Sequence, residues 1–188
     1  MKVLILVLAV VLFACLPVGM VSAEVVLADF NSGEKPNNIG GDFGTWDKDP
    51  SDNTQFCSGA FDAVIKHGKD GYSFGLDYDV DSPNPAFNGF WMKLNDIDLS
   101  SYKNLSFWVK GDSAQGYTKE FKIELKTPDG VGSYYINGVT DKWRKFSIPL
   151  DAFNLPSLSN CQEFVIVFED KTATDKEGIM YIDDIVVK

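Results

Sequence analysis

Apolar residues along this chain recur with a period of two, or in short unbroken runs, and most runs end at Gly, Pro, Asn or Asp. Such stretches lie at 25–30, 60–66, 72–80, 87–94, 105–110, 121–127, 133–139, 143–150, 163–169 and 179–187. In one of them Leu105, Phe107 and Val109 oppose Ser106, Trp108 and Lys110; in another Phe121, Ile123 and Leu125 oppose Lys122, Glu124 and Lys126. Successive side chains of a strand face opposite ways, so each segment has one apolar and one polar face. "FVIVF" (Phe164 to Phe168) and "IMYIDDIVV" (Ile179 to Val187) are nearly continuous apolar runs and predict central strands covered on both sides. No segment sustains a helical period for three turns, and "PLDAFN" (Pro149 to Asn154) predicts a single turn at most. Short strands separated by turn signals predict an all-β fold, a two-sheet antiparallel β-sandwich.

The last run carries an anomaly. Asp183 and Asp184 stand side by side inside it, and simple alternation sends their carboxylates to opposite faces. In a strand covered on both sides, at least one then points into protein and needs a cation, a set of donors or a proton.

The first residues read differently from the rest. Lys2 precedes an unbroken apolar run at 3–12, and "VSA" at Val21 to Ala23 fits a small-residue cleavage site. Residues 1–23 are therefore expected to be a signal peptide and 24–188 a single exported domain, secreted or periplasmic. Lipoprotein processing at Cys15, within "LFAC", and an uncleaved anchor are the alternatives. Cleavage leaves Cys57 and Cys161, an even pair in an oxidising compartment. A disulfide between them is the expectation, with two separate buried thiols as the alternative; the bridge would close a loop of about a hundred residues and stabilise by up to about 4–5 kcal/mol.

Charge narrows the partners. The chain carries a formal charge of −10, one unit more negative once Lys2 is removed. Nucleic acid and anionic lipid reward Lys and Arg clusters, so neither is expected, whereas calcium prefers carboxylate oxygens. No catalytic residue is assigned: the single histidine, His67, stands in a turn-like "KHGKDG", and no phosphate-cradling glycine loop is present. A glycosidase-like carboxylate pair stays open among so many acids. Alternation sets Trp91 opposite Phe90 and Met92, and Trp108 between Ser106 and Lys110, so both indoles are expected outside the core. With Lys122, Glu124, Tyr135 and Arg144 they form the candidate ligand-binding set: indoles cover the apolar face of a sugar ring, and charged groups bond its hydroxyls. Burial of the tryptophans in a second core is the competing reading. The stretch 37–53 reads as an ordered surface loop, a candidate lining for a binding edge, in which Trp46 sits among Asp47, Asp49 and Asp52; the stripe Asp77, Asp79, Asp81 reads as a solvated strand face, with a metal site as the alternative.

"LADFNSG", "DLSSYKNLSFWVKGD", "WRKFSIPLDAF" and "GIMYIDDIVV" occur in that order along the chain. Together they resemble the galactose-binding-like β-jelly-roll domains, in particular family 11 carbohydrate-binding modules and the related domain of complex I intermediate-associated proteins of 30 kDa. The resemblance implies a non-catalytic module that binds a polysaccharide or oligosaccharide on its concave sheet. It also implies a structural calcium joining the first and last strands, with Asn31 and Asp183 as ligands and Asp29 and Asp184 beside them. Asn31 departs from the glutamate common at its position. The fold also hosts protein-interaction and assembly domains, so a partner protein is the first alternative to a glycan and a polysaccharide-degrading enzyme the second.

Overall fold

The computed structural model describes residues 23–188, so positions 1–22 of the expected leader, with Cys15, lie outside the described residues. Eleven strands follow in order: β1 (Val25–Ala28), β2 (Phe43–Asp47), β3 (Phe56–Asp62), β4 (Ser73–Asp79), β5 (Phe87–Ile97), β6 (Asn104–Gly111), β7 (Glu120–Thr127), β8 (Gly130–Asn137), β9 (Arg144–Pro149), β10 (Cys161–Glu169) and β11 (Glu177–Val187). A single 3₁₀ turn, Leu150–Phe153, falls where one helical turn was expected. One sheet has the order β3–β4–β11–β6–β9, with β1 also on β11; the other has the order β2–β5–β10–β7–β8. The two continuous apolar runs are interior strands, β10 between β5 and β7, and β11 between β4 and β6.

Alternation explains why the sheets stack. Phe90 and Met92 of β5, Phe121, Ile123 and Leu125 of β7, and Phe164, Ile166 and Phe168 of β10 are all sealed from solvent. Facing them are Leu76 and Tyr78 of β4, Phe107 and Val109 of β6, and Met180, Ile182 and Ile185 of β11. Tyr78 stacks on Phe168 with centroids 4.0 Å apart. Its buried hydroxyl donates to the Asp175 carbonyl at 2.9 Å and accepts the Thr118 N–H at 2.6 Å, so the phenol brings no unpaired polar atom into the core. At the other end Phe30, Phe43, Phe61, Phe74 and Phe90 form an aromatic cluster of mostly edge-to-face contacts, in which Phe30 stacks on Phe74.

Four sequence expectations are corrected. The 37–53 loop contains β2, too short an edge strand for alternation to register, with only Phe43 fully buried. The strand expected at 60–66 is displaced to β3, and the residues after Asp62 form a loop over the first sheet. Cys57 and Cys161 are separate buried thiols, not a disulfide. They belong to different sheets: burial raises the Cys57 thiol's pKa near Asp47 and Asp77, while Cys161 donates to the Leu158 carbonyl. The fourth concerns the aspartate pair. The register of β11 against β6 shifts between Asp183 and Val186, and Asp184 adopts φ +47°. This β-bulge adds one residue to the outer side, so both carboxylates reach the same histidine while Ile182 and Ile185 stay in the core.

Phe168→Ala should remove the partner of Tyr78 and leave a cavity costing about 3–5 kcal/mol. Urea unfolding checks this: the midpoint should fall with little change in slope, and an unchanged midpoint would contradict the core assignment.

Candidate functional site: an outer-face cleft

The inner residues of β5, β10 and β7 dictate the outer ones. With Phe90, Met92, Phe164 and Ile166 turned inward, Trp91, Lys93, Glu163, Val165, Val167, Lys122, Glu124 and Lys126 must face outward. The ladder sets them in rows across the strands. Gly44, Trp91, Val165, Glu124 and Ser133 form one row from β2 to β8. Lys93, Glu163, Lys126 and Val131 form the row on one side of it, and Trp46, Gly89, Val167, Lys122 and Tyr135 the row on the other. The result is a cleft of about 510 Å³ with an apolar side at Trp46, Phe87 and Trp91 and a valine floor.

Each wall has a physical support. The Trp91 ring lies across β2 at Gly44, where a Cβ would approach the indole to 3.3 Å, so the glycine leaves room for the ring to lie flat. Trp46 meets Phe87 edge-on with centroids 5.9 Å apart. On the polar side, Glu163 accepts from Lys93 at 2.6 Å and from Lys126 at 2.9 Å. Glu169 accepts from Lys122 at 2.7 Å and from the Tyr135 hydroxyl at 3.0 Å, and Lys122 also lies 3.2 Å from Glu124. Burial alone would raise the Glu163 carboxyl, yet the two lysine hydrogen bonds outweigh it and hold its pKa below the usual range. Burial would likewise lower the Lys122 ammonium, but Glu169 and Glu124 hold it above its usual value. Three lysines and three glutamates thus balance within the cleft.

Of the six expected ligand residues, Trp91, Lys122 and Glu124 line this cleft, and Tyr135 adjoins it through its hydrogen bond to Glu169. Trp108 and Arg144 do not. Trp108 does lie outside the core, as alternation requires, but on β6 of the other sheet, where His67 stacks on it at 3.9 Å. Arg144, on β9 of that sheet, donates to the Gly138 carbonyl at 2.7 Å and lies over Phe146. Phe87, Lys93, Glu163 and Glu169 were missed, the two glutamates because the continuous apolar run of β10 shows no alternation; Trp46 was expected only in a loop lining a binding edge, and Lys126 was read on the polar face beside Lys122 and Glu124 but left out of the set.

The aspartate pair lies on the opposite outer face, under the loop after β3. Asp183 is buried and accepts the His67 N–H at 3.0 Å and the Asp184 N–H at 2.8 Å; Asp184 lies 2.7 Å from His67 Nδ1. His67 is therefore the clasp of this loop rather than a solvated turn residue. Burial raises the Asp183 pKa to about 7, only partly offset by the His67 N–H, and the Asp184 charge adds to the rise. On β6, opposite Val186 on the far side of the bulge, the fully buried Ser106 hydroxyl has no partner. Asn31 stands at the same loop, where a side chain at Gly71 would strike its amide oxygen; Asp29 is occupied in accepting the Asn31 N–H. Among the described residues no three His, Cys, Asp or Glu side chains converge as a metal-ligand group. Asp49 and Asp52 of the 37–53 stretch cap turns through the Ser51 and Thr54 N–H groups, and Asp47 accepts the Cys57 N–H across to β3.

Residues 40–188 match the family profile described as Carbohydrate binding domain 30. The chain belongs to that family. It is a carbohydrate-binding domain, and its β-sandwich is shared with solved modules of other families. The family 11 carbohydrate-binding module of the cellulosomal cellulase Lic26A-Cel5E of Clostridium thermocellum is 20% identical with a TM-score of 0.61, covering 88% of this chain and 94% of that one. A family 27 module of Caldicellulosiruptor saccharolyticus, solved with mannohexaose, is 14% identical with a TM-score of 0.56, covering 88% and 97%. The xylan-binding family 22 module of Paenibacillus barcinonensis Xyn10C is 15% identical with a TM-score of 0.54, covering 88% and 95%. At these identities the likeness extends to the fold alone. No curated protein sequence matches the chain significantly.

The Asp183 carboxyl generates a prediction for the domain without divalent cations. Its folded pKa of about 7 lies above the unfolded value of 3.8, so the folded chain holds the extra proton between them. The contribution of this group to stability is full below the unfolded value and is lost as pH rises towards 7. In chelator, the melting temperature of the native domain should therefore fall relative to Asp183→Asn over that interval. Parallel pH profiles would contradict the assignment.

Proposed function

We propose that this domain is an exported, non-catalytic module that binds a polysaccharide in the cleft on the outer face of the β2–β5–β10–β7–β8 sheet. The observation that carries the reading is the pairing of an indole laid flat on Gly44 with a polar array of half-buried lysines and glutamates beside it. A pyranose offers an apolar face and a rim of hydroxyls, and the cleft supplies a surface for each. Contact is shallow, and a small ligand buries little area, so affinity per site is modest. Catalysis finds no support there. A glycosidase keeps one carboxyl protonated as acid, whereas each cleft glutamate hydrogen-bonds or ion-pairs with lysine.

A calcium ion beneath the loop after β3 belongs to the same reading. Oxygen donors lie around that loop and the strand beneath it: the buried Asp183 carboxylate with no cationic side chain on it, the unpartnered Ser106 hydroxyl of β6, and the Asn31 amide against Gly71. These fit a hard cation in character, with backbone carbonyls completing the shell. Bound calcium would supply the charge that Asp183 lacks and tie the first and last strands together. Asp183 and Asn31 would hold it, with Asp29 and Asp184 behind them.

Affinity electrophoresis of the exported protein, with a mass that begins at Glu24, tests the glycan reading over glucans, mannans, xylans and galactans. At least one polysaccharide should retard the native domain. Trp91→Ala should weaken that retardation about tenfold or more, and Trp108→Ala should leave it unchanged. Retardation by none, or loss with Trp108→Ala alone, would defeat it; capture of a protein partner through Trp91 instead would favour an interaction domain. For calcium, chelation should lower the melting temperature of native protein and not of Asp183→Asn. An unchanged native melt would remove the metal.

A further inference from the structure

Glu169 closes β10 at a position diagonal to the rest of the cleft. Its partners come from two different strands, Lys122 of β7 on Oε1 and the Tyr135 hydroxyl of β8 on Oε2. Lys122 and Tyr135 are themselves opposite one another in the ladder. One carboxylate therefore does two things. It compensates the ammonium at the centre of the polar wall, and it holds an exposed phenol ring, 43% accessible, over the edge of the sheet. Tyr135 extends the row that begins at Trp46, so an aromatic group stands at each end of it with Val167 between. Five strands spaced about 4.8 Å apart make that row about 19 Å long.

Glu169 also completes the charge balance of the cleft. The other glutamates are committed differently. Glu163 serves Lys93 and Lys126 in the far row, and Glu124 shares Lys122 at the longer distance of 3.2 Å. With all three carboxylates charged, the cleft presents no uncompensated ammonium to a ligand. A sugar hydroxyl accepts from the spare Lys122 N–H and donates to a spare Glu169 lone pair at no electrostatic cost. A ligand carboxylate meets the glutamate charges and must displace one of them from its lysine.

Resting on the carbohydrate reading of this cleft, we propose that Glu169 is its specificity-setting residue, pairing Lys122 so that acidic sugars are disfavoured and orienting Tyr135 as a distal platform for the chain. Removing its charge leaves the cleft with one net ammonium, which then attracts the ligands that the native cleft disfavours.

The test compares neutral and carboxymethylated preparations of the same glucan, mannan and xylan by affinity electrophoresis, for native protein, Glu169→Gln and Tyr135→Phe. Native protein should prefer the neutral member of whichever pair binds. Glu169→Gln should shift the ratio of the two affinities at least about threefold towards the carboxymethylated member, and added salt should shrink that shift. Tyr135→Phe, which keeps the ring but loses the bond to Glu169, should weaken both members alike and leave the ratio as it was. A purely structural Glu169 would lower both affinities with the ratio unmoved, and that result overturns the proposal. So does a native protein that favours the acidic member, a result that leaves the carbohydrate reading intact. No retardation by any preparation overturns both.

Discussion

Between the two sheets, Phe90 and Met92 of β5, Phe164, Ile166 and Phe168 of β10, and Phe121, Ile123 and Leu125 of β7 point the same way and are sealed from water. Each of these side chains contributes about 1.5–3 kcal/mol by burial. A slip of one residue in any of the three strands would turn its whole set to solvent and bring tryptophan, lysine and glutamate inward. The register is thus held by the core. The cleft is its other side, because Trp91, Val165 and Glu124 share a row only while Phe90, Phe164 and Leu125 stay buried.

The polar side follows a second constraint, that charge brought out of water must be paired. On the cleft face, lysines and glutamates meet this by alternating along β7 and across to β5 and β10, which also holds their long side chains in place beside the indoles. On the opposite face, Asp183 meets it only in part, with two backbone N–H groups made available by a bulge and by the loop that His67 clasps. The two faces therefore carry different polar devices. One is an open, balanced array suited to exchanging hydrogen bonds with ligand hydroxyls. The other is a closed knot that fastens a loop over the sheet and joins distant parts of the chain.

Much of this was legible in the residues. Period-two alternation names the all-β class, and the continuous runs of β10 and β11 mark interior strands. It also correctly separates Trp91 and Trp108 from the core. Alternation reports which face of a strand a residue occupies but not which sheet the strand joins, and so Trp108, on the far outer face, and Arg144, on the edge strand β9 of that other sheet, were grouped with the cleft residues. β2 was hidden because five residues with one fully buried side chain leave almost no pattern, so Trp46 was placed on a loop rather than on a strand of the cleft. The bulge at Asp184 was invisible because one inserted residue changes the face without changing the composition. The disulfide failed for a similar reason, since an even count of cysteines carries no information about distance.

The central claim, that recognition uses the indoles of one particular outer face, is tested most directly by the four indole N–H resonances. Nitrogen-15-labelled domain would be titrated with a mixture of oligosaccharides from glucan, mannan and xylan. The account predicts that the Trp46 and Trp91 signals move with ligand while those of Trp108 and Trp143, beside His67, stay in place. Movement of Trp108 and Trp143 with Trp46 and Trp91 unmoved would place recognition on the opposite sheet and contradict it.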